Sequence, residues 1–162
     1  MRLPKRILVA TDFSDTANAA FDYAVDLAKQ LGAKVTALHA YELPVYGFPN
    51  GALVASVEMT TRIMTAAEEA LDAAVKMRAD RGVEISPMVR QGTTWEEVHR
   101  VAEEIDADLI VIGTHGRKGL SRALLGSVAE KIIRTATRPV LTIHGSHEAA
   151  PKTENKSAQP RA

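Results

Sequence analysis

Four stretches of the chain are apolar without alternation: residues 6–11, 34–40, 109–112 and 140–144. Runs of this kind predict short strands covered on both faces, as in a parallel sheet. A fifth stretch, residues 84–90, alternates polar and apolar and contains Pro87. Proline cannot donate to a ladder, so this strand is expected at a sheet edge. Between the strands the period changes to three and four. Ala20, Phe21, Ala24, Leu27, Ala28 and Leu31 form one stripe that Gly32 closes. Ile63, Met64, Ala67, Leu71, Ala74, Val75 and Arg78 form a second that runs to Gly82. Val98, Val101, Ala102 and Ile105 form a third, and Val128, Ala129, Ile132, Ile133 and Ala136 a fourth. Each predicts a helix with one buried face. Ser14 is the expected N-cap of the first. Thr94 with Glu97 and Ser127 with Glu130 have capping-box spacing for the third and fourth. Met59, Met64 and Met77 are expected as core filler.

Strand and helix alternate throughout, which predicts an α/β fold: a single doubly wound five-stranded parallel sheet with helices on both faces and right-handed crossovers. The strand order 3-2-1-4-5, a Rossmann-like winding, puts the proline strand at one edge and the most apolar strands centrally. Two segments fall outside this scheme. Residues 41–56 hold Pro44, Gly47, Pro49 and Gly51 among Tyr46, Phe48 and Leu53. A connection of that length reads equally as a lid or as a surface loop packing its own aromatics. Residues 146–162 carry no large apolar side chain and are expected to form a disordered tail beyond a single domain of residues 1–145.

Composition narrows the function. Twenty Lys and Arg balance twenty Asp and Glu, so no global field draws the chain to nucleic acid or to an anionic membrane. Any anion site is local. Cysteine is absent, which excludes disulfides, thiolate metal sites and thiol nucleophiles. The N-terminus lacks a signal-peptide cleavage pattern and no apolar run is long enough for a membrane span, so the expected location is cytoplasmic.

The stretch from the fourth strand to the fourth helix, residues 113–127, holds four glycines (113, 116, 119, 126) and three cations, Arg117, Lys118 and Arg122. Glycines let backbone N–H groups approach an anion, and a helix start adds partial positive charge. In a 3-2-1-4-5 sheet the winding reverses between the first and fourth strands, and ligands bind beyond the carboxyl ends there. Ala10, Thr11 and Asp12 arrive at that point, with Gly113 to Gly116 opposite and Ala40 and Tyr41 alongside. Bland roles stand beside these. Ser127 is equally an N-cap, Gly126 a turn residue, Asp12 a cap of the first helix, and the three cations solvated. Glu103, Glu104, Asp106 and Asp108 read as solvated or turn carboxylates before they read as a metal or acid-base cluster. His39 is expected as a core histidine and His144 at the end of the last strand. His115 is the one histidine in the cradle, and no catalytic set is assigned. The spacing is neither a P-loop nor G-x-G-x-x-G.

The pattern Gly113-x2-Gly116-x9-Gly126-Ser127 resembles the nucleotide-binding signature of the universal stress protein family, in its ATP-binding branch. The resemblance extends from Ile7 to Ile143. It implies ATP, with Thr11 and Asp12 on the nucleoside side and the backbone of Ala40 on the adenine. Ile112 and Gly113 would line base and ribose, and Gly116, Gly126, Ser127 and Val128 would hold the phosphates, with Arg117 secondary and a divalent ion (Mg or Mn) on the phosphates. It also implies a homodimer through residues 140–144 (Val140, Leu141, Thr142, Ile143 and His144), and this edge strand, free of charge and of internal proline, invites such pairing by itself. The expected function is a nucleotide-responsive stress or regulatory homodimer rather than a dedicated enzyme, with slow hydrolysis left open. The alternatives are a weak ATPase or phosphotransfer enzyme, and a nucleotide-free dimeric interaction module.

Overall fold

The structure is a computed structural model that describes residues 3–43, 46–48, 51–53, 56–114 and 125–144. Five parallel strands form one sheet: β1 (Arg6–Ala10), β2 (Lys34–Tyr41), β5 (Ile85–Gln91), β6 (Leu109–Gly113) and β7 (Val140–Ile143), in the order β5-β2-β1-β6-β7. This is the 3-2-1-4-5 arrangement, with β5, β6 and β7 as the third, fourth and fifth strands. Four helices cover it: α1 (Asp15–Leu31), α2 (Val57–Lys76), α3 (Thr94–Glu104) and α4 (Ser127–Thr135). Ile7, Val9, Val35, Ala37 and Val111 meet α1 and α2 in one core layer, while Leu8, Leu38, Ile110 and Ile112 meet α3 and α4 in the other. Alternation along each strand sends successive side chains to opposite layers, and both layers exclude water. That is why residues 7–10 of β1 and 109–112 of β6, the central strands, are apolar at every position.

The helix ends follow local chemistry in part. Ser14 caps α1 through its Oγ, which accepts the Ala17 N–H at 3.3 Å, and Gly32 closes it in the left-handed region at φ 58°. The two capping boxes do not form. The N-cap of α3 is Thr93, one residue earlier than expected, and Glu97 is instead buried beside Arg100 Nη1. Gly92 makes room for it, since a Cβ there would lie 2.8 Å from Glu97 Oε1. The N-cap of α4 is Gly126, and Glu130 faces Arg134 one turn on.

Three further expectations are corrected. Within residues 41–56 the chain forms a small antiparallel hairpin, β3 (Tyr46–Phe48) with β4 (Gly51–Leu53). Met59, Met64 and Met77 are exposed: Met59 and Met77 lie off the α2 stripe of Ala67, Leu71 and Ala74 that meets the core, and Met64, though on the stripe, precedes the first buried turn of the helix. The buried face of α4 is narrower than its periodicity suggested: Ala129 and Ile132 are inside, whereas Val128 and Ile133 are each 42% exposed. Past α2 a short 3-10 turn, Ala79–Arg81, leads to Gly82, and Arg78 is drawn inside. Its guanidinium donates to Asp22 Oδ1 and to the Ala74 carbonyl and lies 4.2 Å from the centre of the Phe21 ring, tying α2 to α1.

Candidate functional site

The carboxyl ends of β1 and β6 lie side by side, since Val9 pairs with Val111, while β2 continues past β1 to Tyr41. The winding of the sheet reverses here. On the β1 side the chain leaves the ladder at Thr11, whose N–H still donates to the Leu38 carbonyl at 2.9 Å. Buried Thr11 is used at every polar atom. Its Oγ1 accepts the Phe13 N–H at 3.0 Å and its carbonyl meets His39 Nδ1 at 2.8 Å. Asp12 Oδ1 accepts both the N–H and the Oγ–H of Ser14, at 3.1 and 2.6 Å, so the residue does help to start α1. Between them Phe13 takes φ 64°, the left-handed region that a bulky side chain disfavours by about 1–2 kcal/mol. Asn18 Nδ2 donates to the Phe13 carbonyl at 3.3 Å, and the ring packs against the α1 layer. These contacts hold the loop that carries Asp12 against the switch point.

Ala40 contributes backbone. In a parallel ladder, alternate residues turn N–H and C=O to the same neighbour. Lys34 N–H donates to Lys5 and Leu38 accepts from Thr11, so the even residues of β2 face β1. Ala40 therefore turns its N–H and C=O toward the space beyond the end of β1. Ala10 and Ile112, by contrast, place their side chains in the α3 and α4 layer.

Gly113 ends β6 against the first turn of α1. A Cβ there would come within 3.0 Å of the Thr16 carbonyl carbon, oxygen and Cγ2. Its lack of a side chain is thus required by packing of strand on helix, not by a ligand alone. Thr114 follows and joins three elements. Its N–H donates to the Ile143 carbonyl at 3.0 Å, its carbonyl accepts the Gly126 N–H at 2.8 Å, and its Oγ1 meets His144 Nδ1 at 3.0 Å. The sequence brings this buried residue to the switch point as part of the 113–116 stretch but gives it no role, because a threonine after a strand has no distinguishing signal. Its bond to Gly126 brings the N-terminus of α4 next to the end of β6. The N-cap residue of that helix, Gly126, has no side chain with which to cap it. Its first turn, with Ser127 and Val128 exposed, presents N–H groups and the positive end of the dipole.

Of the expected site residues, Ala10, Thr11, Asp12, Ala40, Ile112, Gly113, Gly126, Ser127 and Val128 are described, and they belong to the four segments that meet here, the ends of β1, β2 and β6 and the start of α4. Gly116 and Arg117 lie outside the described residues, as do His115, Lys118, Gly119, Arg122 and the tail. The carboxylates after α3 are engaged elsewhere. Asp106 pairs with Arg6 and Arg138, at 2.7 and 3.0 Å, and Asp108 Oδ2 accepts the N–H groups of Lys5 and Arg6, at the amino ends of the strands. Glu104 pairs with Arg90 at 2.9 Å.

The model of the universal stress protein family matches residues 4–144. The chain belongs to the universal stress protein family. Among its relatives, universal stress protein MJ0531 of Methanocaldococcus jannaschii is 38% identical over 143 residues, 87% of this chain and 82% of that one. The solved structure of MJ0577, a universal stress protein from the same organism, superposes with a TM-score of 0.73 at 26% identity, covering 88% of this chain and 97% of the other. A universal stress protein from Archaeoglobus fulgidus, solved in complex with dAMP, superposes with a TM-score of 0.62 at 27% identity, covering 88% and 99%. The family shares the five-stranded α/β architecture seen here.

Proposed function

We propose that this universal stress protein binds ATP across the carboxyl ends of β1, β2 and β6 and works as a nucleotide-responsive regulatory homodimer of the cytoplasm. The observation that carries the reading is the Thr114 junction, which holds a helix N-terminus with glycine at its cap against the end of β6, opposite the hydrogen-bonded loop of Asp12. An anionic tail and a polar nucleoside fit these two halves. Asp12 accepts from ribose hydroxyls and the Ala40 N–H and C=O address the adenine edge. Gly113 and the backbone beside Ile112 pass under the base and ribose. Ser127 and Val128 offer backbone N–H groups and Ser127 its hydroxyl to phosphate oxygens, Gly126 lies beside them with its own N–H held by the Thr114 carbonyl, and Gly116 and Arg117 join from the cradle. A divalent ion would be carried by the phosphates themselves and would neutralise part of their charge. The dAMP bound to the Archaeoglobus fulgidus protein supports a nucleoside phosphate as ligand. Residues 1–145 are the binding unit.

The β7 edge supports the dimer. Pro139 and Ile143 direct their carbonyls to β6, so the even residues of β7 present their backbone to the free edge. A second copy pairs there by a two-fold axis. Calorimetric titration of the purified protein with ATP, ADP, AMP and cyclic AMP in Mg²⁺ tests the binding reading. Saturable one-to-one binding of ATP is expected, and no heat with any of the four at millimolar ligand overturns it.

A further inference from the structure

Strand β1 stops at Ala10 although β2 runs on to Tyr41, and His39 stands where the ladder ends. The β1–β2 register pairs residues twenty-eight apart, Arg6 with Lys34 through Ala10 with Leu38, so Thr11 lies opposite His39. In a parallel ladder the Thr11 N–H would reach Leu38, as it does, and the Thr11 carbonyl would next accept the Ala40 N–H. The carbonyl instead lies 2.8 Å from His39 Nδ1. A carbonyl only accepts, so Nδ1 carries the proton and donates it. The same ring lies 4.5 Å, centre to centre, from Phe13, the residue at φ 64° between Thr11 and Ser14.

We infer that His39 is a positioning residue for the nucleoside half of the site. Its imidazole occupies the Thr11 carbonyl and so leaves the Ala40 N–H to a purine acceptor, and its ring steadies the strained loop that presents Asp12. Two consequences follow from one side chain: the ladder ends where a base can replace its next rung, and the acidic residue stays in register with that base. Without the Nδ1 donor, Thr11 is free to close the rung on Ala40, and bound adenine has to compete with it. The phosphate half is untouched, because the Thr114 junction and α4 share no hydrogen bond with His39. This role rests on the ATP reading given above.

The test compares the wild type with His39→Leu, which removes the donor, and His39→Asn, whose side-chain amide places a donor where Nδ1 stood. Affinities for Mg·ATP, adenosine and inorganic triphosphate are measured by calorimetry, and the amide exchange of Ala40 by NMR. His39→Leu should lose about 5- to 10-fold for adenosine and ATP, the worth of one hydrogen bond, with triphosphate unchanged. His39→Asn should stay within about twofold of the wild type for all three, as expected of a lost bond restored. The Ala40 amide should exchange several-fold more slowly in ligand-free His39→Leu than in the wild type, as its rung closes. Equal adenosine affinity in wild type and His39→Leu overturns the inference, as does an equal loss of triphosphate, which would mark general damage to the fold. A wild type that binds neither adenosine nor ATP overturns the ATP reading and this role with it. That failure is told apart because the Ala40 exchange difference persists without ligand.

Discussion

Gly126→Asp separates the two jobs of the α4 N-terminus, since it should raise stability and lower ATP affinity together. Gly126 has φ −61° and ψ 144°, a conformation open to any residue, and its N–H goes to Thr114, so the backbone accepts a side chain. Aspartate is a better N-cap than glycine by a few tenths of a kcal/mol, and its charge at the positive helix end adds about 0.3–1 kcal/mol. The gain of roughly 0.5–1 kcal/mol corresponds to a rise of about 1–4 °C in Tm for a chain of this size. ATP meets the opposite effect. The new carboxylate takes an N–H that a phosphate would use and sets like charges about 4 Å apart. That repulsion is about 4 kcal/mol at the effective dielectric of a site near the surface and about 1 kcal/mol in bulk water. Affinity for ATP should therefore fall at least about tenfold while adenosine binds within about twofold of the wild type. Thermal unfolding and calorimetry on the same preparation measure both. Unchanged ATP affinity in a stabilised variant would show that the phosphates do not sit on α4, and a lowered Tm would refute the capping argument.

Gly113→Ala is expected to act on the fold first: a Cβ 3.0 Å from the Thr16 backbone pushes α1 off the sheet at a cost of about 1–3 kcal/mol, read as a lower urea midpoint. An unchanged midpoint would mean that α1 yields freely. Thr142→Pro removes an N–H from the free edge of β7 without taking a rung from β6, so the protein should elute as a 17.5 kDa monomer that still binds ATP. A dimer that persists would place the interface elsewhere. Trp95, the one tryptophan, lies 4.9 Å from Lys131 Nζ of α4 and should change its emission as ATP loads that helix. Lys131→Ala should abolish the change, and an equal response in that variant would refute the link.

The sequence by itself determined the layers, the strands and the order of the sheet. Burial on both faces forces an unbroken apolar run, and Pro87 cannot serve a central strand, so these features are written locally. It also determined which segments converge, because a reversal of winding follows from strand order. The start of α2 was hidden for the converse reason. Residues 57–62 bury almost nothing, so the first turns of a twenty-residue helix have no apolar stripe to read. Helix starts were misplaced at Thr94 and Ser127 because the S/T-x-x-E pattern records composition, whereas the cap falls where the chain turns in from Gly92 and Thr114. Only the tertiary structure decided what Gly113, Thr114 and His39 do. Gly113 must be small because Thr16, ninety-seven positions earlier, lies against it, and Thr114 matters because Ile143 and Gly126 both come to its backbone. His39 looks like a core histidine until the register sets the Thr11 carbonyl against its Nδ1. Periodicity reports which face of an element is dry. Contacts between residues far apart in the chain depend on how the dry faces stack, and that arrangement exists only once the sheet and its helices have assembled.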